Sequence, residues 1–329
     1  MGYLYGLLAA LLFGANGSVT KVVLEDGLSP TQVTQFRTLG TFVITGVILL
    51  ITDRSAFRLN RRQVVIMAVL GVAGLALLQV TYAFAIQLLP VGIALLLEYL
   101  AVLLVALVAF FFLKEKVKPR LWIAIGCVLI GLTVVAQIWA STLNGLGVLM
   151  ALAAAVTLAI YFLVGERQVT ATSPLAVAFW TSGFAALFWA FFSGWWNVDP
   201  ALFGTAVSLS GNLDAVIVPL WMPLLWLIVM GSFLPFLLSF AALGRLKATA
   251  GGIVASSEVI FAFVVAWLWL GEQLTAFQLV GAAVVLVGII LAQTSRAGKV
   301  VDADLALAKV GGRTYIRNNT TRRPADKGR

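Results

Sequence analysis

Histidine is absent from all 329 residues, and cysteine occurs once, at Cys127. The first absence excludes imidazole general bases, Ser-His-Asp triads and the usual zinc sites. The second excludes an internal disulfide and a thiol metal centre, so no metal or other cofactor is expected. Charge is scarce too: 11% of the residues are Asp, Glu, Lys or Arg, against about 25% in an ordinary soluble domain. No G-x-x-x-x-G-K-[ST] run occurs, which argues against ATP binding through a phosphate loop. The opening residues MGYLY lack the basic n-region of a cleaved signal peptide, so none is expected.

What fills the chain is apolar: 62% of the residues are hydrophobic, and the mean hydropathy is +1.06. A water-soluble globule of this size needs more polar groups for its outside. The chain therefore reads as an integral membrane protein. Crossing about 30 Å of hydrocarbon takes roughly 20 apolar residues. Such runs occupy 3–23, 33–52, 64–87, 91–113, 121–139, 146–165, 174–195, 219–243, 249–270 and 276–294. They lack period-two alternation and are too long for barrel strands, so an all-α protein of ten transmembrane helices is expected.

The net charge of +9 supplies the topology. The loops after spans 2, 4, 6 and 8, together with the tail after span 10, hold 20 of the 22 basic residues. Only Lys21 and Arg37 fall at or near the other side. By the positive-inside rule both termini are expected in the cytoplasm, with the chain in the cytoplasmic (inner) membrane. Trp139, Trp195, Trp196, Trp221, Trp267 and Trp269 fall near the opposite ends of their spans, as an interfacial belt requires.

The sequence is also written twice. Residues 107–117, LVAFFFLKEKV, align with 264–274, VVAWLWLGEQL, at an offset of 157 that pairs Leu113 with Leu270 and Glu115 with Glu272. Earlier in the chain an offset of about 144 pairs Pro30 with Pro174, and the extra 13 residues belong around 197–218. Each copy holds five spans, an odd number, so the second copy is inverted. The basic KEKVKPR opposite GEQLTAF, which has no Lys or Arg, says the same. The expected organisation is a first five-helix repeat over 1–140, a second over 141–294 and a basic tail over 295–329. Inverted repeats point to transport, since two similar halves can rock about a midplane site.

GEQL at 271–274, SSEV at 256–259, LLEYLAV at 96–102 and the doubled plan resemble the EamA-type drug/metabolite transporter superfamily. The resemblance covers about residues 2–294. Within it, 89–107 and 242–263 are most similar to the threonine/homoserine-exporter branch, which implies export of an amino acid or similar compound. One departure stands out. The family often has proline after the Glu of span 9 and at the matching place in span 4, where this chain has Val259 and Val102.

Two carboxylates lie within spans. Glu98 is about 10–11 Å along span 4 and Glu258 about 13–14 Å along span 9. Under the 157 offset Glu98 matches Ala255 and Glu258 matches Ala101, about one helical turn from the other acid in each case. A charge at that depth must face protein or water, so these residues are candidates for binding a substrate amine or a proton. The bland alternative is a neutral carboxyl bonded to a helix end or hydroxyl. Asn16, which pairs with Tyr161 at an offset of 145, joins Gln79, Tyr82, Ser232 and Ser239 as a set of inward polar candidates. Each could equally bridge two helices. Arg37 reads first as a snorkelling residue, with Glu25, Asp26 or a substrate carboxylate as alternative partners. Gly14, Gly17, Gly126, Gly131, Gly281 and Gly288 are expected to let helices approach closely.

The sequence thus predicts a secondary transporter, not an enzyme, that moves a small organic metabolite by alternating access, with protons as a candidate coupling ion. A broad exporter of drugs or hydrophobic metabolites is the rival reading. An intramembrane lipid-modifying enzyme would need clustered acids or a metal site, and a non-transporting scaffold would gain nothing from inversion. The tail, with nine basic and three acidic residues, reads as a disordered cytoplasmic segment near anionic membrane lipids, and nothing in it supports nucleic-acid binding.

Overall fold

The computed structural model describes residues 1–112, 119–135, 143–169, 173–243, 245–246 and 248–295. Among these residues lie nine helices long and apolar enough to cross a membrane and one shorter apolar helix. In chain order they are α1 (Gly2–Glu25), α2 (Pro30–Thr52), α3 (Arg61–Leu88), α4 (Val91–Phe111) and α5 (Arg120–Val135). The second set is α6 (Gly145–Val169), α7 (Pro174–Phe192), α8 (Trp221–Ile228, continuing through Leu234–Leu243), α9 (Ala248–Val265, continuing to Leu270) and α10 (Ala276–Ser295). Trp139, Lys114, Glu115, Lys116, Lys118, Lys247 and the tail from 296 lie outside the described residues.

Local chemistry starts the helices where the bilayer would leave backbone donors unsatisfied. The second helix of each repeat opens on Ser-Pro. Ser29 accepts from the Gln32 N–H and Ser173 from the Ala176 N–H, both at 3.3 Å, with Pro30 and Pro174 at positions whose missing N–H costs nothing. Asn60 and Gln63 form a capping box at the head of α3, and Asn144 caps α6 through the N–H groups of Leu146 and Gly147. Inside the helices, threonine hydroxyls return to carbonyls four residues back, as Thr34 does to Pro30 and Thr181 to Val177. In lipid that internal bond leaves no polar atom open.

The packing obeys an inverted two-fold relation. α1 packs on α8 and α9, and its counterpart α6 packs on α3 and α4. α2 packs on α7 and α5 on α10, the two pairs that the symmetry maps onto themselves. Small residues set these approaches. A Cβ on Gly131 would meet the Gly281 carbonyl at 2.8 Å, and one on Gly14 would meet the Glu258 carbonyl at 2.8 Å. Gly17 and Gly288 are equally closed in, but Gly126 faces open space, so the expectation of close approach does not hold there.

Three departures from regular helix matter for the site. α4 is two helices, Val91–Glu98 and Ala101–Phe111, joined by a tight turn in which Leu100 N–H bonds back to Leu97 O at 3.1 Å. The turn forms without proline, while α9 runs on past Val259. α3 and α8 each contain a π-turn, Leu70–Ala76 and Val229–Phe233, which overlap under the 157 offset and end at the same place. In α8, four residues after Gly231 stands Pro235, which has no N–H to give the Gly231 carbonyl, while the matching turn in α3 forms without proline. A third π-turn, Ala266–Leu270, ends α9.

The insertion between α7 and α8 is the one non-helical unit of note. It contains short 3-10 turns and an antiparallel hairpin, β1 (Ala206–Ser208) on β2 (Ile217–Pro219), with Val207 opposite Val218. It sits at the bilayer end opposite the amino terminus, against α1, α2 and the end of α9. Trp195, Trp196, Trp221 and Trp267 are exposed at that end, but the Trp269 indole donates to Leu209 O at 2.7 Å and belongs to the hairpin packing.

Candidate functional site

The polar candidates converge mainly at one corner of the bundle, where α1, α2 and α8 meet α4 and α9. Arg37 is the first surprise. It lies seven residues, about 10 Å, into α2, is 8% exposed, and points inward. The snorkelling expectation and the pairing with Glu25 or Asp26 are both wrong. The rotation of α2 instead turns the guanidinium onto the α8 π-turn, where Nε donates to Ser232 Oγ at 2.7 Å and Nη2 to Gly231 O at 3.0 Å. That carbonyl is available because of Pro235.

Asn16 completes the clamp from α1. Its hydrogen-bond partners orient the amide with oxygen toward Arg37, accepting from Nη2 at 2.6 Å and Nη1 at 3.3 Å. Gly231 allows this, because its missing Cβ would stand 2.6 Å from the outer end of the Asn16 amide. Of the five guanidinium N–H groups at least one is left without a partner among the described residues.

The acids stand across from Arg37 and do not pair with it. Glu98 closes the first piece of α4, is 8% exposed, and makes no hydrogen bond among the described residues. Glu258 on α9 accepts from the Tyr99 hydroxyl at 2.5 Å. The same hydroxyl is 3.3 Å from Ala255 O, the position that mirrors Glu98. Arg37, Glu98 and Glu258 lie within electrostatic reach of one another, yet neither acid comes within the 4.0 Å of an ion pair with Arg37. A buried guanidinium and two carboxyl groups held apart in this way leave polar groups for a bound molecule to engage.

Other candidates sort cleanly. Tyr82 is 8% exposed, with its hydroxyl against the Gly17 backbone and within electrostatic reach of both acids. Gln79, one turn away on α3, has a buried Oε1 with no partner among the described residues. Ser232 is a direct Arg37 ligand. Ser239 is two turns further along α8, half-buried and outside this network. Tyr161 is in the mirror corner: its backbone lies 3.2 Å from where a Gly74 Cβ would be, and it packs with Met67, Leu70 and Val177. It is a packing residue, removed from the charges. Tyr99 is the residue the sequence did not offer. On an unbroken helix it would point about 100° from Glu98, and the turn at 99–100 brings it to Glu258 instead.

Ten helices in two inverted five-helix repeats, with charged and polar residues gathered at the break in one helix and the π-turn of another, define a membrane transporter architecture. The chain belongs to the EamA-like transporter family, whose sequence profile matches it twice, over residues 1–137 and 145–294. The match is to the family as a whole. No curated protein matches the chain. A solved structure described as "Crystal structure of protein" superposes with a TM-score of 0.59, covering 90% of this chain and 97% of its own, at 19% sequence identity. That likeness concerns the fold alone. The family makes this chain a membrane transporter of small molecules.

Proposed function

We propose that the chain is a secondary transporter of the cytoplasmic membrane, with both termini in the cytoplasm, exporting a small zwitterion such as an amino acid by alternating access. The repeats are assigned to 1–140 and 141–294, followed by the basic tail. The reading rests on one observation: Arg37 and the pair Glu98 and Glu258 sit inside the membrane-spanning bundle, within electrostatic reach but unpaired. A substrate carboxylate would take the spare N–H of Arg37, in the charge-assisted geometry that a guanidinium favours. A substrate ammonium would approach Glu98, the acid with no hydrogen bond, while Tyr99 keeps Glu258 engaged.

Proton coupling runs through the same acid. With the substrate absent, Glu98 holds a proton, and binding of the ammonium displaces it. Transport into proteoliposomes is expected to depend on pH in the native protein, and Glu98→Gln is expected to lose both rate and pH dependence. Full-rate transport without pH dependence in Glu98→Gln would defeat the coupling.

A further inference from the structure

We propose that Glu272 is the latch of an outer gate, closing the extracytoplasmic mouth by tying the second repeat to two helices of the first. The inference rests on the transport reading above. α9 ends at Gly271, whose φ of 69° lets the chain turn sharply and swings the next side chain back over the bundle. Glu272 Oε1 then lies 2.7 Å from Lys21 Nζ on α1. Its other oxygen accepts the Val91 N–H, the first of α4, at 2.8 Å. One carboxylate thus joins three segments from both halves.

The chemistry suits a latch. Lys21 and Glu272 are 22% and 14% exposed, so the pair is shielded from water without being sealed in. The carboxylate faces the positive end of the α4 helix as well as the ammonium. Both bonds cross between the repeats, so the halves cannot part at this end without breaking them together. Lys21 is the single lysine at this end of the bundle among the described residues, and its partner is the Glu of the GEQL segment, which the substrate site does not use.

The hairpin insertion reinforces the closure and has no counterpart in the first repeat. Ser210 Oγ donates to Glu25 Oε2 at 3.0 Å on the first half, while Asn212 Nδ2 donates to Leu268 O at 3.0 Å on the second. Gly211, at a φ of 58°, lies so flat on the α9 end that a Cβ would stand 2.5 Å from Leu270 Cα. Phe203 meets Phe36 edge-on at 5.3 Å. The insertion therefore touches α1, α2 and α9 at once.

Sidedness of access tests this on the whole protein. In a Cys127→Ser background, Gln79→Cys places a thiol one turn from Tyr82, and a membrane-impermeant methanethiosulfonate is applied from the outside of intact cells. Slow labelling is expected with the latch intact. Lys21→Ala and Glu272→Gln should each speed it by about tenfold, and Glu272→Ala, which also frees the Val91 N–H, by more. Exchanging the charges, Lys21→Glu with Glu272→Lys, should restore part of the protection, since the ion pair returns but the bond to Val91 does not. Equal outside labelling in native and latch variants, with cytoplasmic labelling present, would overturn the latch and leave transport standing. A thiol unlabelled from either side in every variant, in protein that remains monodisperse, would overturn the transport reading together with the latch.

Discussion

Two mirrored corners of this bundle share a scaffold and differ in chemistry. In one, Asn16 of α1 meets Gly231 in the π-turn of α8, and Arg37 of α2 clamps onto both. In the other, Tyr161 of α6 meets Gly74 in the π-turn of α3, and the position equivalent to Arg37 is Thr181, whose hydroxyl turns back to its own helix. The glycine contacts recur as well, with Gly40 against Ile228 in the first corner and Gly71 against Phe184 in the second. Duplication supplied the frame twice, and among the described residues side-chain replacement left charge in only one of the two corners. Position in a repeat therefore fixes packing but not function.

The largest expected effect breaks this contrast outright. Arg37→Ala should lower substrate affinity by about 100-fold or more, as the loss of a buried charge-assisted contact does. Thr181→Ala should change it by less than about threefold, because the lost hydroxyl bond is local and worth about 1 kcal/mol at most. Initial transport rates in proteoliposomes against substrate concentration read both. Equal losses would mean that the two corners are functionally alike.

Alanine at the two π-turn glycines should separate function from packing. At Gly231 the new methyl meets the movable end of Asn16, so the fold survives while the clamp on Arg37 is displaced. An affinity loss of about tenfold with an unchanged melting temperature is expected. At Gly74 it meets the Tyr161 backbone at 3.2 Å, which cannot swing aside. Overpacking of about 1–3 kcal/mol should then appear as a lower melting temperature with little change in affinity. Thermal unfolding in detergent beside ligand titration distinguishes the two outcomes.

Pro235→Ala is the gentlest change. It returns an N–H to compete with Arg37 for the Gly231 carbonyl, and a drop in affinity of about threefold is expected. Affinity equal to the native value would show that the proline is not what frees the carbonyl.

Much of this plan was legible in the sequence because bilayer physics is coarse. Twenty apolar residues are needed per span, and lysine and arginine mark one side, so ten spans and their inversion could be read before any geometry. The Asn16 and Tyr161 pairing was also readable, and both residues do occupy equivalent places. The direction of Arg37 was not readable, since snorkelling and burial differ only by rotation of α2. Nor was the break after Glu98, which falls in the plain apolar run LEYLA without proline or glycine. Pro235 was the available clue to the Arg37 site, a helix breaker four residues beyond a glycine in the middle of a span.

The most direct test of a zwitterion site between Arg37 and Glu98 is a thermal-shift screen on purified protein. It would pair amino acids with their carboxamides and their deaminated acids. A stabilising hit is expected only among compounds that carry both charges, and it should vanish in Arg37→Ala and in Glu98→Ala. An apolar cation without a carboxylate that stabilises the native protein equally, and still stabilises Arg37→Ala, would contradict it.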